Sequence, residues 1–83
     1  MELKRLFKGE DFQKLKKGDM IIVEWDKTGT GKRGKKIIMY QIYEVKHSLH
    51  EIICRYNGNH YFNYRMFMER RSCANDVWEV KEG

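Results

Sequence analysis

Proline is absent from all 83 residues, and no repeat or low-complexity tract interrupts the chain. Nothing marks an internal linker, so residues 1–83 read as one domain. Cysteine is scarce. Cys54 and Cys73 are too few for a disulfide scaffold, and both are expected to be small packed hydrophobes kept as thiols. Long apolar runs are missing as well: no window approaches the ~18 apolar residues of a membrane span. The opening Met1-Glu2-Leu3-Lys4-Arg5-Leu6-Phe7-Lys8 also lacks the apolar stretch of a secretory signal. A cytoplasmic location without membrane contact is therefore expected. Metal-ligand pairs are wanting too. His47, His50, Cys54, His60 and Cys73 are all the histidines and cysteines, and only His47-x-x-His50 has the spacing of a zinc-ligand pair. No metal, cofactor or small-molecule ligand is expected, and no acid/base constellation points to an enzyme.

What the chain has in quantity is charge and aromatic surface. Seventeen Lys+Arg against twelve Asp+Glu give a formal charge of +5, and aromatic residues make up 13%. With mean hydropathy −0.79 but 41% hydrophobic residues, the chain should fold around a small core beneath a heavily solvated surface. The charge is lopsided: residues 1–36 carry eleven cations and six acids, whereas residues 37–83 carry six of each. An electrostatic footprint therefore belongs to the N-terminal half.

Leu3, Leu6, Phe7, Phe12 and Leu15 recur at three- and four-residue steps, which predicts one or two short helical turns interrupted at Gly9. The second, about Glu10 to Lys16, begins with acids and ends with Lys14, Lys16 and Lys17 before Gly18, the order a helix dipole favours. The period then changes to two. Met20 to Trp25 is a strand with Ile21, Val23 and Trp25 on one face, and Trp25 is expected to be largely buried. Asp26 to Lys36 reads as a long exposed hairpin loop. A second strand runs from Ile37 to about His47, long enough to bend around two sides of a barrel. Glu51 to Tyr56 and His60 to Tyr64 form the next two strands, joined at Asn57-Gly58-Asn59. Arg65 to Arg71 is compatible with a helical turn, and Asp76 to Val80 closes the sheet, with Trp78 expected to pack from it.

The elements thus predict a mainly β (α+β) domain: a small, highly curved antiparallel sheet or barrel of about five strands behind a short N-terminal helical segment. The run Leu15-Lys16-Lys17-Gly18-Asp19-Met20-Ile21-Ile22-Val23-Glu24-Trp25, followed by a basic glycine-containing loop and a long second strand, resembles the opening of an SH3-like β-barrel. That resemblance covers roughly residues 15–56. The short length, the Lys, Tyr and Asn content and the missing proline also resemble small accessory proteins of bacteriophages and mobile elements. They imply a module that binds rather than catalyses.

Thr28-Gly29-Thr30-Gly31-Lys32 superficially matches a phosphate-binding loop. However, Asp26 stands where that motif needs its first glycine, Arg33 follows the lysine in place of Ser/Thr, and a strand rather than a helix comes next. The segment makes better sense as a basic finger. Lys27, Lys32, Arg33, Lys35 and Lys36 outweigh Asp26, and contacts to phosphate need only charge and reach. Lys14, Lys16 and Lys17 would add to that footprint. Arg55, Tyr61 and Tyr64 are candidates for stacking on a base or filling a partner's pocket. Tyr61 and Phe62 must point to opposite faces of a strand, so one of the two is expected to be exposed. The leading expectation is a nucleic-acid-binding module; the alternative is a small phage-type effector that binds an acidic surface of a host protein and inhibits or redirects it.

Overall fold

A computed structural model of the chain describes residues 2–26 and 35–81, the side chain of Lys35 excepted. In chain order these form β1 (Glu2–Arg5), α1 (Gly9–Gln13), β2 (Met20–Asp26), β3 (Lys35–Lys46), a 3-10 turn (His47–Leu49), β4 (Glu51–Arg55), β5 (Asn59–Asn63), α2 (Tyr64–Met68) and β6 (Ala74–Lys81). The six strands make one antiparallel sheet in the order β1-β6-β2-β3-β4-β5. Among the described residues no helix is long and apolar enough to cross a membrane.

The twelve-residue β3 gives the sheet its curvature. Its first half pairs with β2, from Lys35 opposite Asp26 to Gln41 opposite Met20. Its second half pairs with β4, and the register slips between Ile42 and Glu44, leaving Tyr43 as the extra residue of a bulge. Bulges bend and twist a strand. Here the loop after α1 occupies the bend: the Gly18 N–H donates to the Ile42 carbonyl and the Ile42 N–H donates to the Asp19 carbonyl, each at 2.8 Å. Gly18 manages this turn at φ 96°, where a side chain would be strained.

The concave face holds the core. Ile21 and Val23 of β2, Ile38, Tyr40 and Ile42 of β3, Ile52 and Cys54 of β4, Phe62 of β5 and Val77 of β6 all point into it. The two helices cap it with aromatic rings. Phe12 of α1 stacks on Tyr64 of α2 at 4.9 Å between centroids, and the Phe67 edge meets Phe12 at 5.8 Å. Each helix starts with a local device. Asp11 accepts from the backbone N–H groups of Phe7 and Lys8, both at 3.0 Å, and those two bonds hold its carboxyl below the ordinary range. The Asn63 side chain caps α2 by accepting from the Met66 N–H at 3.0 Å.

Several expectations change. The first helical turn is instead strand β1, whose residues pair with β6 from Glu2 opposite Lys81 to Arg5 opposite Trp78. Three- and four-residue apolar spacing over so few residues does not distinguish a turn of helix from a short edge strand, and a distant partner decides. Gly9 begins α1 rather than interrupting a helix, and α1 stops at Gln13. The described residues form six strands, and their sheet is open, not closed into a barrel. Trp25 is only partly buried: it packs at the margin of the core, its edge against Phe62 at 6.0 Å and its Nε1 donating to the Tyr40 hydroxyl at 2.9 Å. On β6 the inward position belongs to Val77, 0% exposed, so neighbouring Trp78 lies on the opposite, outer face.

The Tyr64 hydroxyl is buried and has no hydrogen-bond partner among the described residues. A buried hydroxyl left unpaired costs about 1–3 kcal/mol. Tyr64→Phe should therefore stabilise the fold by about 1 kcal/mol, raising Tm by about 4–8 °C in a domain of this size. Phe12→Ala removes the ring that both Tyr64 and Phe67 pack against. It should cost about 3–5 kcal/mol, enough to abolish the cooperative transition of a small domain. Thermal melts followed by circular dichroism check both.

Candidate functional site

Every second residue of a strand faces away from the core, and on the outer face of β3 and β4 an aromatic ring is flanked by two cations. Tyr43, the unpaired residue of the bulge, is the centre of a small cluster. The Arg55 guanidinium lies over its ring at 4.0 Å, and the Lys17 ammonium lies over the same ring at 5.1 Å. Both distances are within cation–π range. Arg55 is held in place by its partner strand, with its Nε donating to Asn59 Oδ1 at 3.3 Å. Lys17 is held by the Gly18–Ile42 and Ile42–Asp19 bonds that fasten its loop to β3. Lys17, Gly18, Gln41, Ile42, Tyr43 and Arg55 surround a shallow depression of about 210 Å³.

Tyr61 extends this surface onto the edge strand. It sits opposite Ile53, while Arg55 sits opposite Asn59, which makes Tyr61 and Arg55 diagonal neighbours on the outer face, ~7–8 Å apart in ordinary sheet geometry. Tyr61 is 67% exposed while Phe62 is 4% exposed, so the expected division of that pair between two faces holds. Three residues singled out in the sequence, Lys17, Arg55 and Tyr61, thus share one face. Lys14 and Lys16 are exposed on the segment leading to Gly18.

Other candidates fall elsewhere. Tyr64 is 0% exposed beneath Phe12 and cannot stack on a ligand; it opens α2 under the Asn63 cap and, two residues after Phe62, faces the core with it. Lys36 is exposed opposite Trp25, on the other side of the sheet from Tyr43. Lys27, Lys32 and Arg33 lie outside the described residues, as does the side chain of Lys35. Tyr43 shares the outer face with Ile37, Met39 and Gln41 by simple alternation from Ile38, Tyr40 and Ile42, but alternation gives no sign of the cations that flank it.

Among the described residues, no comparable cation–aromatic cluster lies on the concave side. Its polar groups are occupied with one another: the His60 ring meets the Tyr56 carbonyl at 2.8 Å, and Tyr40 packs against both His60 and Tyr56. Burial raises the Tyr40 hydroxyl above the ordinary phenol range, opposed by the bond from Trp25, so it stays protonated. Farther along the outer face an apolar strip crosses four strands. Leu3, Ile37 and Met39 are 50%, 65% and 44% exposed, with Trp78, Val80 and Ile22 between them in register.

The two cysteines divide. Cys54 is buried, its Sγ donating to the His60 carbonyl at 3.6 Å, and burial pushes its thiol up to about 11. Cys73 is exposed, contrary to the expectation that both are packed, because it lies in the connection before β6. Comparison of the chain with protein-family models, curated proteins and solved structures finds no match.

At pH 8 a thiol reagent should therefore modify the folded protein quickly at one site only, and Cys73→Ser should remove that fast phase. The second equivalent should react only in denaturant. Fast modification of Cys54 in the native state would contradict the packing of β4 against the core.

Proposed function

We propose that this protein is a non-catalytic binding module for single-stranded nucleic acid, and that the outer face around Tyr43 is where the strand lies. The observation that carries the reading is the Arg55–Tyr43–Lys17 cluster. A guanidinium plane lying over an exposed ring presents a flat, charged surface on which a base can stack, and an ammonium group beside it supplies charge for a phosphate. Tyr61, diagonal to Arg55, provides a second stacking platform on the adjacent strand. Stacking on such platforms tolerates any base, so affinity without strong sequence preference is expected from this surface. The basic finger, Lys27 to Lys36, adds phosphate contacts in this reading, and the curved sheet is in keeping with an SH3-like module.

A fluorescein-labelled single-stranded oligonucleotide, DNA or RNA, titrated by anisotropy tests this. If Lys14, Lys16, Lys17 and Arg55 engage four phosphates, log affinity should fall with log salt at a slope of about −3, or about fifty-fold between 50 and 200 mM. Tyr43→Ala and Arg55→Ala should each weaken binding about tenfold or more while leaving the melting curve unchanged. A flat salt response, or no binding to either polymer, would remove nucleic acid from consideration.

A second reading rests on a different observation. The apolar strip Leu3–Ile37–Met39 on the outer face suits a protein partner, with the cationic end of that face matching an acidic surface. On that reading Met39→Asp removes binding of the partner, nuclease treatment of a bacterial lysate leaves capture intact, and oligonucleotides fail to compete.

A further inference from the structure

A second cavity lies at the other end of the molecule, between the end of β1, the C-terminus of α2 and the start of β6. It measures about 370 Å³, in the range of small-molecule sites but too small for a helix or a folded partner. Leu6, Phe67 and Met68 form an apolar floor, and the rim is polar, with Arg5, Asp26, Arg70, Ser72, Asn75 and Asp76 around it.

Most of these polar groups are already matched. Arg5 pairs with Asp76, the Asn75 amide donates to Asp26 Oδ1 at 2.6 Å, and the Ser72 hydroxyl accepts from the Ala74 N–H at 3.1 Å. Arg70 differs: its side chain has no hydrogen bond or ion pair among the described residues. Its backbone is also unusual. The Arg70 N–H donates to the Phe67 carbonyl at 3.0 Å and the Arg71 N–H donates to the Met66 carbonyl at 2.8 Å. These are the two bonds of a helix-ending turn whose penultimate residue is left-handed, a place usually taken by glycine. Arg70 stands there at φ 58°, where a Cβ is strained. A long cation thus occupies, without a partner among the described residues, a backbone position that favours no side chain. Strain of this kind is a pointer to function when it coincides with a cavity.

We propose that this cavity takes one unstacked nucleotide that carries an exocyclic amino group, with Arg70 on its phosphate and Asp26 on its base. Asp26 spends one oxygen on Asn75, and the other has no partner among the described residues. A carboxylate accepts from amino groups on bases such as cytosine or guanine, whereas uracil presents only a ring N–H. Phe67 and Met68 provide the apolar surface for the base, and the Ser72 hydroxyl retains its proton to donate. With Arg5 neutralised by Asp76, the net charge of the rim comes down to one cation and one anion at separate places. That arrangement suits a ligand with a donor at one end and an anion at the other better than a plain acidic peptide. The choice of a nucleotide rests on the nucleic-acid reading; the cavity, the free arginine and its strained backbone do not.

The probes are 5′-GMP, 5′-CMP and 5′-UMP, titrated separately into the ¹⁵N-labelled full chain and followed by amide shifts. GMP and CMP should move the Arg70, Ser72 and Asn75 amides saturably, with UMP at least fivefold weaker. Arg70→Gly suits its backbone, so it should melt at the same or a higher temperature and weaken both ligands tenfold or more. Asp26→Asn should erase the difference between the bases. Absence of saturable shifts, equal binding by Arg70→Gly, or equal affinity for all three probes would overturn the proposal. If oligonucleotides bind at Tyr43 while the monophosphates leave the cavity amides unmoved, the cavity proposal fails and the module reading stands. Monophosphate binding without oligonucleotide binding has the opposite meaning.

Discussion

Two backbone hydrogen bonds to Ile42 organise this protein. A strand with a bulge exposes backbone groups that its neighbours do not satisfy, and buried groups of that kind are costly. Ile42 lies one step past the β2–β3 pairing, and Gly18 and Asp19 satisfy its carbonyl and N–H where β3 turns from β2 to β4. Because the bend is held there, β5 comes close enough to β2 for Phe62 to meet Trp25, and the concave side becomes a core. The same fastening sets Lys17 against Tyr43, which the alternation of β3 puts on the outer face. The core and the candidate interface are two sides of one local arrangement.

The convex and concave faces then divide the aromatic residues by task. Phe12, Phe62, Tyr64 and Phe67 spend their surface on one another, in stacked, tilted and edge contacts that supply most of the rigidity a core this small can have. Tyr43 and Tyr61 spend theirs on solvent and cations. A residue of either group placed on the other side would cost stability without helping recognition, which is why the assignment of faces matters more here than the aromatic count.

Much of the sheet was legible because period two is unambiguous where β-branched residues alternate with polar ones. Met20 to Trp25, the Asn57-Gly58 turn, with both residues at positive φ, and the bend in the long strand follow from such local signals. What escaped depends on partners far away in sequence. Leu3 and Leu6 fit a helical turn equally well until β6 lies alongside. Val77 and Trp78 both suit a core, and only the register with Val23 and Ile22 selects Val77. Tyr64 looked like the end of a strand, but the Asn63 cap starts a helix at that point. For the site, Lys17, Arg55 and Tyr61 were legible by charge and alternation; Tyr43 alternates outward like Met39 and Gln41, but its place between two cations depends on the loop before β2 and on β4.

The strand order also sets a sequence of events for folding. β2, β3, β4 and β5 are neighbours in the chain as well as in the sheet, so each can zip onto the last by closing a modest loop. β6 must instead cross back to lie beside β2, and β1 finds its only partner in β6, with Leu3 opposite Val80. Contacts so distant in sequence carry the greatest closure entropy and form late. Until they do, one edge of the four-stranded meander is bare. That half-built edge, with Ile22 and Val23 in its strand, is the point at which a folding chain is open to pairing with another copy of itself.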